Sequence, residues 1–195
     1  VDGDEADCIP LQLQKLFGML MMTNNKSIST EPLTKSFGWH GAEAFQQQDV
    51  QELSRVLFDA LEDSFKGTDS ENIIDELYAG ELIDYLRCID VDYETERVDK
   101  CLDFSLAIIP FGSDIPCKNL NECLEMYLKP EILDGDNKYF VEEHDTRSDA
   151  MKGLKFSKLP KIMSIHLKRF VYDFTSANLS LKKVNDIVQF PMVLD

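Results

Sequence analysis

No C-x-x-C pair occurs among the five cysteines, Cys8, Cys88, Cys101, Cys117 and Cys123. An odd count without paired spacing argues against a disulfide framework and points to a reducing compartment, the cytosol or nucleus. Positive charge is scarce: 20 Lys and Arg stand against 36 Asp and Glu, a formal net charge of −16. Such a surface repels phosphates, so nucleic acid is not expected as a partner and a basic peptide or protein is favoured. No apolar run reaches the roughly 20 residues that span a bilayer, and no signal peptide stands at the start, so no membrane partner is expected. Repeats, low-complexity tracts and interdomain linkers are missing as well.

Catalytic pairs are equally hard to find. The histidines are His40, His144 and His166 alone. No cysteine opens a helix from a Gly-rich turn, the setting that favours a thiolate. Cys8 precedes a helix but sits among Asp2, Asp4, Glu5 and Asp7. His144 lies in an acidic turn, and His166 sits mid-strand, where a structural role is commoner. No four-ligand zinc set is apparent. Asp134-Gly135-Asp136-Asn137 resembles the opening of a calcium loop but lacks the later ligand spacing, and reads as a turn.

At 195 residues and 44% hydrophobic, the chain has enough apolar material for one good core with a subdomain. Val50, Leu53, Val56, Leu57, Ala60, Leu61 and Phe65 recur at helical spacing and predict an amphipathic helix that stops near Gly67. Asp49 and Glu52 stand at its positive end, in a position to grip a cationic, extended peptide. The plainer reading is a well-capped core helix. Ile9-Pro10 predicts the start of another helix, running to Met21. Pro32, Leu33 and Phe37 fit a short helix capped by Ser29 or Thr30, followed by Trp39 as a core plug. Asn72–Tyr78 reads as a helical turn or strand entry, and Asn119 as the cap of a helix ending before Pro130. Extended runs are expected at 81–93 and 102–109; another starts at Leu154-Lys155-Phe156 and is interrupted by Pro160, and the last spans 162–172. The first two would form a hairpin-like projection, joined by a charged segment near 90–100. Arg169 falls in the apolar phase of the last run, which signals a bulge, an end of burial or a buried partner. Phe170 falls on the wetter face, where an aromatic marks binding or is covered by a loop.

Four motifs then stand in order: Ser36-Phe37-Gly38-Trp39, Gln47-Gln48-Asp49-Val50-Gln51-Glu52-Leu53, Leu133-Asp134-Gly135-Asp136-Asn137-Lys138-Tyr139 and Leu167-Lys168-Arg169-Phe170. Together they resemble the catalytic domain of ubiquitin-specific proteases. The resemblance implies an α+β, papain-like cysteine protease hand, with 9–66 as thumb, 81–139 as fingers and 154–195 as palm. Members feed the ubiquitin C-terminal tail between thumb and palm. There a cysteine thiolate attacks the terminal carbonyl, a histidine serves as base and acid, and Asp or Asn orients it.

By residue match, Asp49 and Glu52 would receive the arginine-rich tail, and Gln47 and Gln51 would bond its backbone. Phe170 and Tyr172 would line the palm side, and 173–185 resembles a blocking loop. The partners implied are ubiquitin and ubiquitinated proteins. The family's cysteine and histidine boxes have no match here, so the expectation is an internal, inactive piece of a deubiquitinase. The alternative is a non-catalytic ubiquitin-binding or scaffold module. Where many members hold zinc through two C-x-x-C pairs, this chain has Cys88 and Val91, then Val141 and His144. Neither a metal nor another cofactor is therefore expected.

Overall fold

Pro10 occupies the first turn of α1 (Ile9–Met22), where its missing N–H costs nothing. In the computed structural model, residues 5–39, 41, 49–110, 112–113, 115–173 and 180–194 are described, the side chains of 172, 173 and 180 excepted. The chain divides into two compact units, Val1–Ile74 and Asp75–Asp195.

The first unit is helical. The hydroxyl of Ser29 accepts the Glu31 N–H at 3.2 Å at the start of α2 (Glu31–Ser36). Trp39 is only half-buried, and its ring stacks on Phe37 with centroids 5.4 Å apart, so it is not the core plug expected. α3 (Val50–Phe65) runs as its periodicity predicts, ends two residues before Gly67, and packs against α1. Leu53, Leu57, Leu61 and Phe65 form its half-buried stripe. Val50 and Val56 depart from the expected packing and stay exposed, Val50 at 69%. Val50 lies in the first turn of the helix, and Val56 sits at the stripe's edge.

The second unit holds the sheets, and α4 (Ile73–Tyr78) leads into it. β1 (Gly80–Cys88) alternates, burying Leu82, Leu86 and Cys88 on one face. It is central in a four-stranded sheet, order β2-β1-β7-β4, with β2 (Glu94–Cys101), β7 (Ala150–Lys158) and β4 (Glu131–Leu133). The hairpin exists, but its second arm is the charged segment itself: β2 pairs antiparallel with β1 along its whole length. Strand 102–109 was the wrong partner. Charge does not exclude a strand at a sheet edge, where Lys and Glu blunt pairing with other chains. Here the charges pair with each other: Lys155 with Glu96, and Arg97 with Asp99 at 2.8 Å.

Gly153 of β7 faces Tyr85 of β1. A β-carbon at 153 would lie 2.8 Å from the Tyr85 hydroxyl oxygen and 2.9 Å from the adjacent ring carbon. Gly153→Val is expected to destabilise this sheet by about 1–3 kcal/mol through overpacking. Hydrogen exchange at the β1 amides measures it, and Tyr85→Ala should recover most of the loss.

β3 (Phe104–Ala107) instead pairs in parallel with β8 (Ile165–Lys168), Ser105 opposite His166. The Ser105 hydroxyl and His166 Nδ1 are 3.4 Å apart. α5 (Leu120–Leu128) is capped by Asn119, whose Oδ1 accepts the Glu122 N–H at 2.9 Å. Leu106, Cys117 and Cys123 form a buried cluster, with Leu120, Leu124, Ile165 and Leu167 against it. A short hairpin of β5 (Tyr139–Val141) and β6 (Thr146–Ser148) follows a helical turn at 135–137.

The run 162–172 is not one strand. It breaks at Arg169 into β8 and β9 (Phe170–Asp173), and β9 pairs with β10 (Ser180–Lys183). The segment expected as a polar loop is therefore in part the second arm of a hairpin.

Candidate functional site

Asp49 is the N-cap of α3. Its backbone is extended, its Oδ1 accepts the Gln51 N–H at 2.8 Å, and its carbonyl accepts the Leu53 N–H at 3.0 Å. A carboxylate has about four acceptor sites, so capping leaves capacity for an incoming donor. Glu52 lies in the same first turn, and both residues are exposed. Two negative charges beside the positive end of a 16-residue helix are locally stabilised and open to solvent. Gln51 is half-buried, and Gln47 lies outside the described residues. Asp49, Gln51 and Glu52 thus share one turn, an arrangement that suits a cationic, extended ligand.

Phe170 belongs to the other unit. It opens β9, is 51% exposed, and lies 6.0 Å from the Lys183 ammonium across the hairpin. The backbone of Tyr172 pairs with Leu181, while its side chain lies outside the description. Alternation had placed Phe170 on a wet face, and the structure agrees.

At the far end of the four-stranded sheet, Leu86, Cys88, Val141 and Ala150 form a buried cluster. Val91, Tyr93, Leu133 and Tyr139 pack against it, and Val141 is 0% exposed. His144 is exposed. A zinc ion needs four converging donors. Of the four positions that correspond to the family's zinc ligands, Cys88, Val91, Val141 and His144, two carry valines, Val141 being fully buried, so the residues do not fit the ion. Chelator treatment is accordingly expected to leave the thermal midpoint unchanged; a drop of several degrees would restore a metal to this site.

Cys101 and Cys123 have the wrong electrostatics for attack. Burial pushes the Cys123 thiol up to about 11, with the Cys117 thiol beside it adding to the effect. Burial also raises Cys101, helped by Asp103 and Asp99. A nucleophilic cysteine needs the opposite shift. Cys88 and Cys117 are buried too. For Arg169 the sequence leaves open a bulge, an end of burial or a buried partner, and does not name the partner: its N–H groups at one terminal nitrogen reach the carbonyls of Val184 and Asp186. Its off-phase position was the available signal.

Comparison with known proteins agrees with the motif order. The family model described as ubiquitin carboxyl-terminal hydrolase matches residues 2–195. Ubiquitin carboxyl-terminal hydrolase 47 of Xenopus tropicalis is 45% identical over 194 residues, covering 100% of this chain and 14% of that protein. The Homo sapiens protein of the same name is 45% identical with the same coverage. Ubiquitin carboxyl-terminal hydrolase 15 of Saccharomyces cerevisiae is 40% identical over 187 residues, 96% of this chain and 14% of that protein. The chain therefore spans about one seventh of these relatives, 14% of their length. Helices in the first unit, and mainly antiparallel sheets with α5 in the second, are the α+β class of a papain-like fold. With a match over nearly every residue and this level of identity, the chain belongs to the ubiquitin carboxyl-terminal hydrolase family.

Proposed function

We propose that the full-length protein is a cysteine-type deubiquitinase, and that this segment supplies part of its grip on ubiquitin. The reaction is thiol-dependent hydrolysis of the bond after the C-terminal glycine of ubiquitin. The observation that carries the reading is the exposed acidic first turn of α3. Asp49 and Glu52 meet the arginines of the tail there, and Gln47 and Gln51 bond its backbone. Phe170 and Tyr172 contribute the aromatic palm-side contact. Family membership and the relatives' printed names support the activity.

The nucleophile and base are assigned to residues outside this chain, so the segment alone is inactive. The raised thiols of Cys101 and Cys123 support that part. They also favour a second reading, a non-catalytic ubiquitin-binding or scaffold module. The same proposal sets the protein in the cytosol or nucleus, with ubiquitin and ubiquitinated proteins as partners and neither nucleic acid nor membrane, on the cysteine pattern and the net charge of −16. No described helix is long and apolar enough to cross a membrane.

The deciding experiment treats the full-length protein with ubiquitin carrying a thiol-reactive group at its C-terminus. A covalent adduct is expected, with none on the isolated segment. Ubiquitin binding without adduct in the full-length protein would favour the scaffold reading instead.

A further inference from the structure

Arg169 stands where the chain leaves one sheet for another. Lys168, before it, is the last residue of β8, bound in parallel to β3. Phe170, after it, is the first residue of β9 and pairs with Lys183 of β10. Continuing that register by one step sets Arg169 opposite Val184. The Val184 N–H donates to the Arg169 carbonyl at 2.6 Å. The guanidinium returns the contact, with one terminal nitrogen donating to the Val184 carbonyl at 3.2 Å and to the Asp186 carbonyl at 3.0 Å. Val184 is 2% exposed, so its carbonyl needs a protein partner once water is excluded. One residue, through its backbone carbonyl and its guanidinium, thus joins the junction of β8 and β9 to the end of β10 and the chain that follows.

The residue type fits the task. A guanidinium presents five N–H donors in a fixed planar fork and never loses its charge. It can serve the Val184 and Asp186 carbonyls, two residues apart in sequence, from one terminal nitrogen. A lysine ammonium is a compact point donor on a flexible stem and holds such a pair less firmly. The charge in the apolar phase at position 169 is thereby accounted for: the side chain is half-buried and its charged head ends on backbone oxygens.

We infer that Arg169 is a positioning residue for ubiquitin recognition: it clamps the root of the β9–β10 hairpin and so sets the placement of the exposed Phe170 ring. This rests on the proposed role of Phe170 as a tail-side contact. Arg169 acts through Phe170 and touches no reacting atom.

The test uses the full-length protein, with Arg169→Gln, Arg169→Lys, Phe170→Ala and the double variant Arg169→Gln/Phe170→Ala. Kinetics are read on a fluorogenic ubiquitin C-terminal substrate, alongside hydrogen exchange at the Lys183 and Val184 amides. Arg169→Gln is expected to speed exchange at Val184 and raise KM about tenfold with kcat within about twofold. Arg169→Lys should fall between Gln and wild type. In the Phe170→Ala background, Arg169→Gln should add nothing further to KM, since the two act as one unit. Unchanged Val184 exchange, or KM effects that multiply, would overturn the inference. If Phe170→Ala alone leaves KM unchanged, the tail-side reading of Phe170 fails, and with it the recognition role of Arg169. Exchange at Val184 then decides separately whether the clamp itself is real.

Discussion

Asp49→Ala in the full-length protein is expected to lower kcat/KM for ubiquitin hydrolysis by about ten- to a hundredfold, the equivalent of one well-ordered charge-assisted contact at about 1.5–3 kcal/mol. Alanine also removes the N-cap, which adds about 1 kcal/mol of helix destabilisation. Asp49→Asn separates the two effects. Asparagine caps a helix about as well as aspartate, so the bond to the Gln51 N–H at 2.8 Å has a replacement acceptor. Only the charge is lost. If Asp49→Asn is nearly as impaired as Asp49→Ala, with α3 as stable as in wild type, the loss belongs to the tail contact. Because Asp49 and Glu52 are exposed, salt should screen their attraction to a cationic tail over a Debye length of about 8–10 Å. The wild-type advantage over Asp49→Asn should therefore shrink as ionic strength rises. Full activity in Asp49→Asn leaves Asp49 as a cap and nothing more.

The contrast between Asp49 and Arg169 shows which parts of the molecule could be read from sequence. Everything that makes the α3 terminus lies within a few residues: the cap, the second carboxylate and the apolar stripe beginning at Leu53. Local chemistry of that kind is legible. Arg169 announced itself only as a charge in an apolar phase, because its acceptors are 15 and 17 residues away. β2 was hidden for a different reason. Its residues Glu94, Glu96, Arg97 and Lys100 read as a solvated connector, yet an edge strand needs no buried face of its own when β1 supplies the ladder. The parallel pairing of β3 with β8 joins residues 61 apart, such as Ser105 and His166. No turn chemistry marks such a contact, and the nearer hairpin partner misled. In the candidate site, the exposure of Phe170 followed from simple alternation. The apolar packing of Val91 and Val141 was legible only as missing ligands, since which side chains fill a space depends on strands distant in sequence.

Phe104→Ala is expected to cost about 3–5 kcal/mol, the range for truncating a fully buried aromatic, against a typical domain stability of about 5–15 kcal/mol. Phe104 is 1% exposed, and its ring meets Phe156 of β7 edge to face, 5.2 Å between centroids and 72° between planes. Such a geometry adds about 0.5–1.5 kcal/mol beyond the area buried. Its N–H also donates to the Ser164 carbonyl at 2.9 Å. One residue therefore ties the β3–β8 pair to the four-stranded sheet. The first residue of β1 is glycine for the same reason. A β-carbon at position 80 would lie 3.0 Å from the tip of the Phe104 ring, 3.0 Å from Pro160 Cδ and 3.1 Å from the Lys158 carbonyl. Gly80→Ala should itself destabilise, by about 1–3 kcal/mol, as overpacking does. The two losses should not add. Shrinking the ring to leucine removes one of three obstacles, so Gly80→Ala in the Phe104→Leu background should cost less than in wild type. Urea unfolding of the four proteins gives the coupling directly. Strict additivity would mean that Pro160 and the Lys158 carbonyl, rather than Phe104, hold position 80 to glycine.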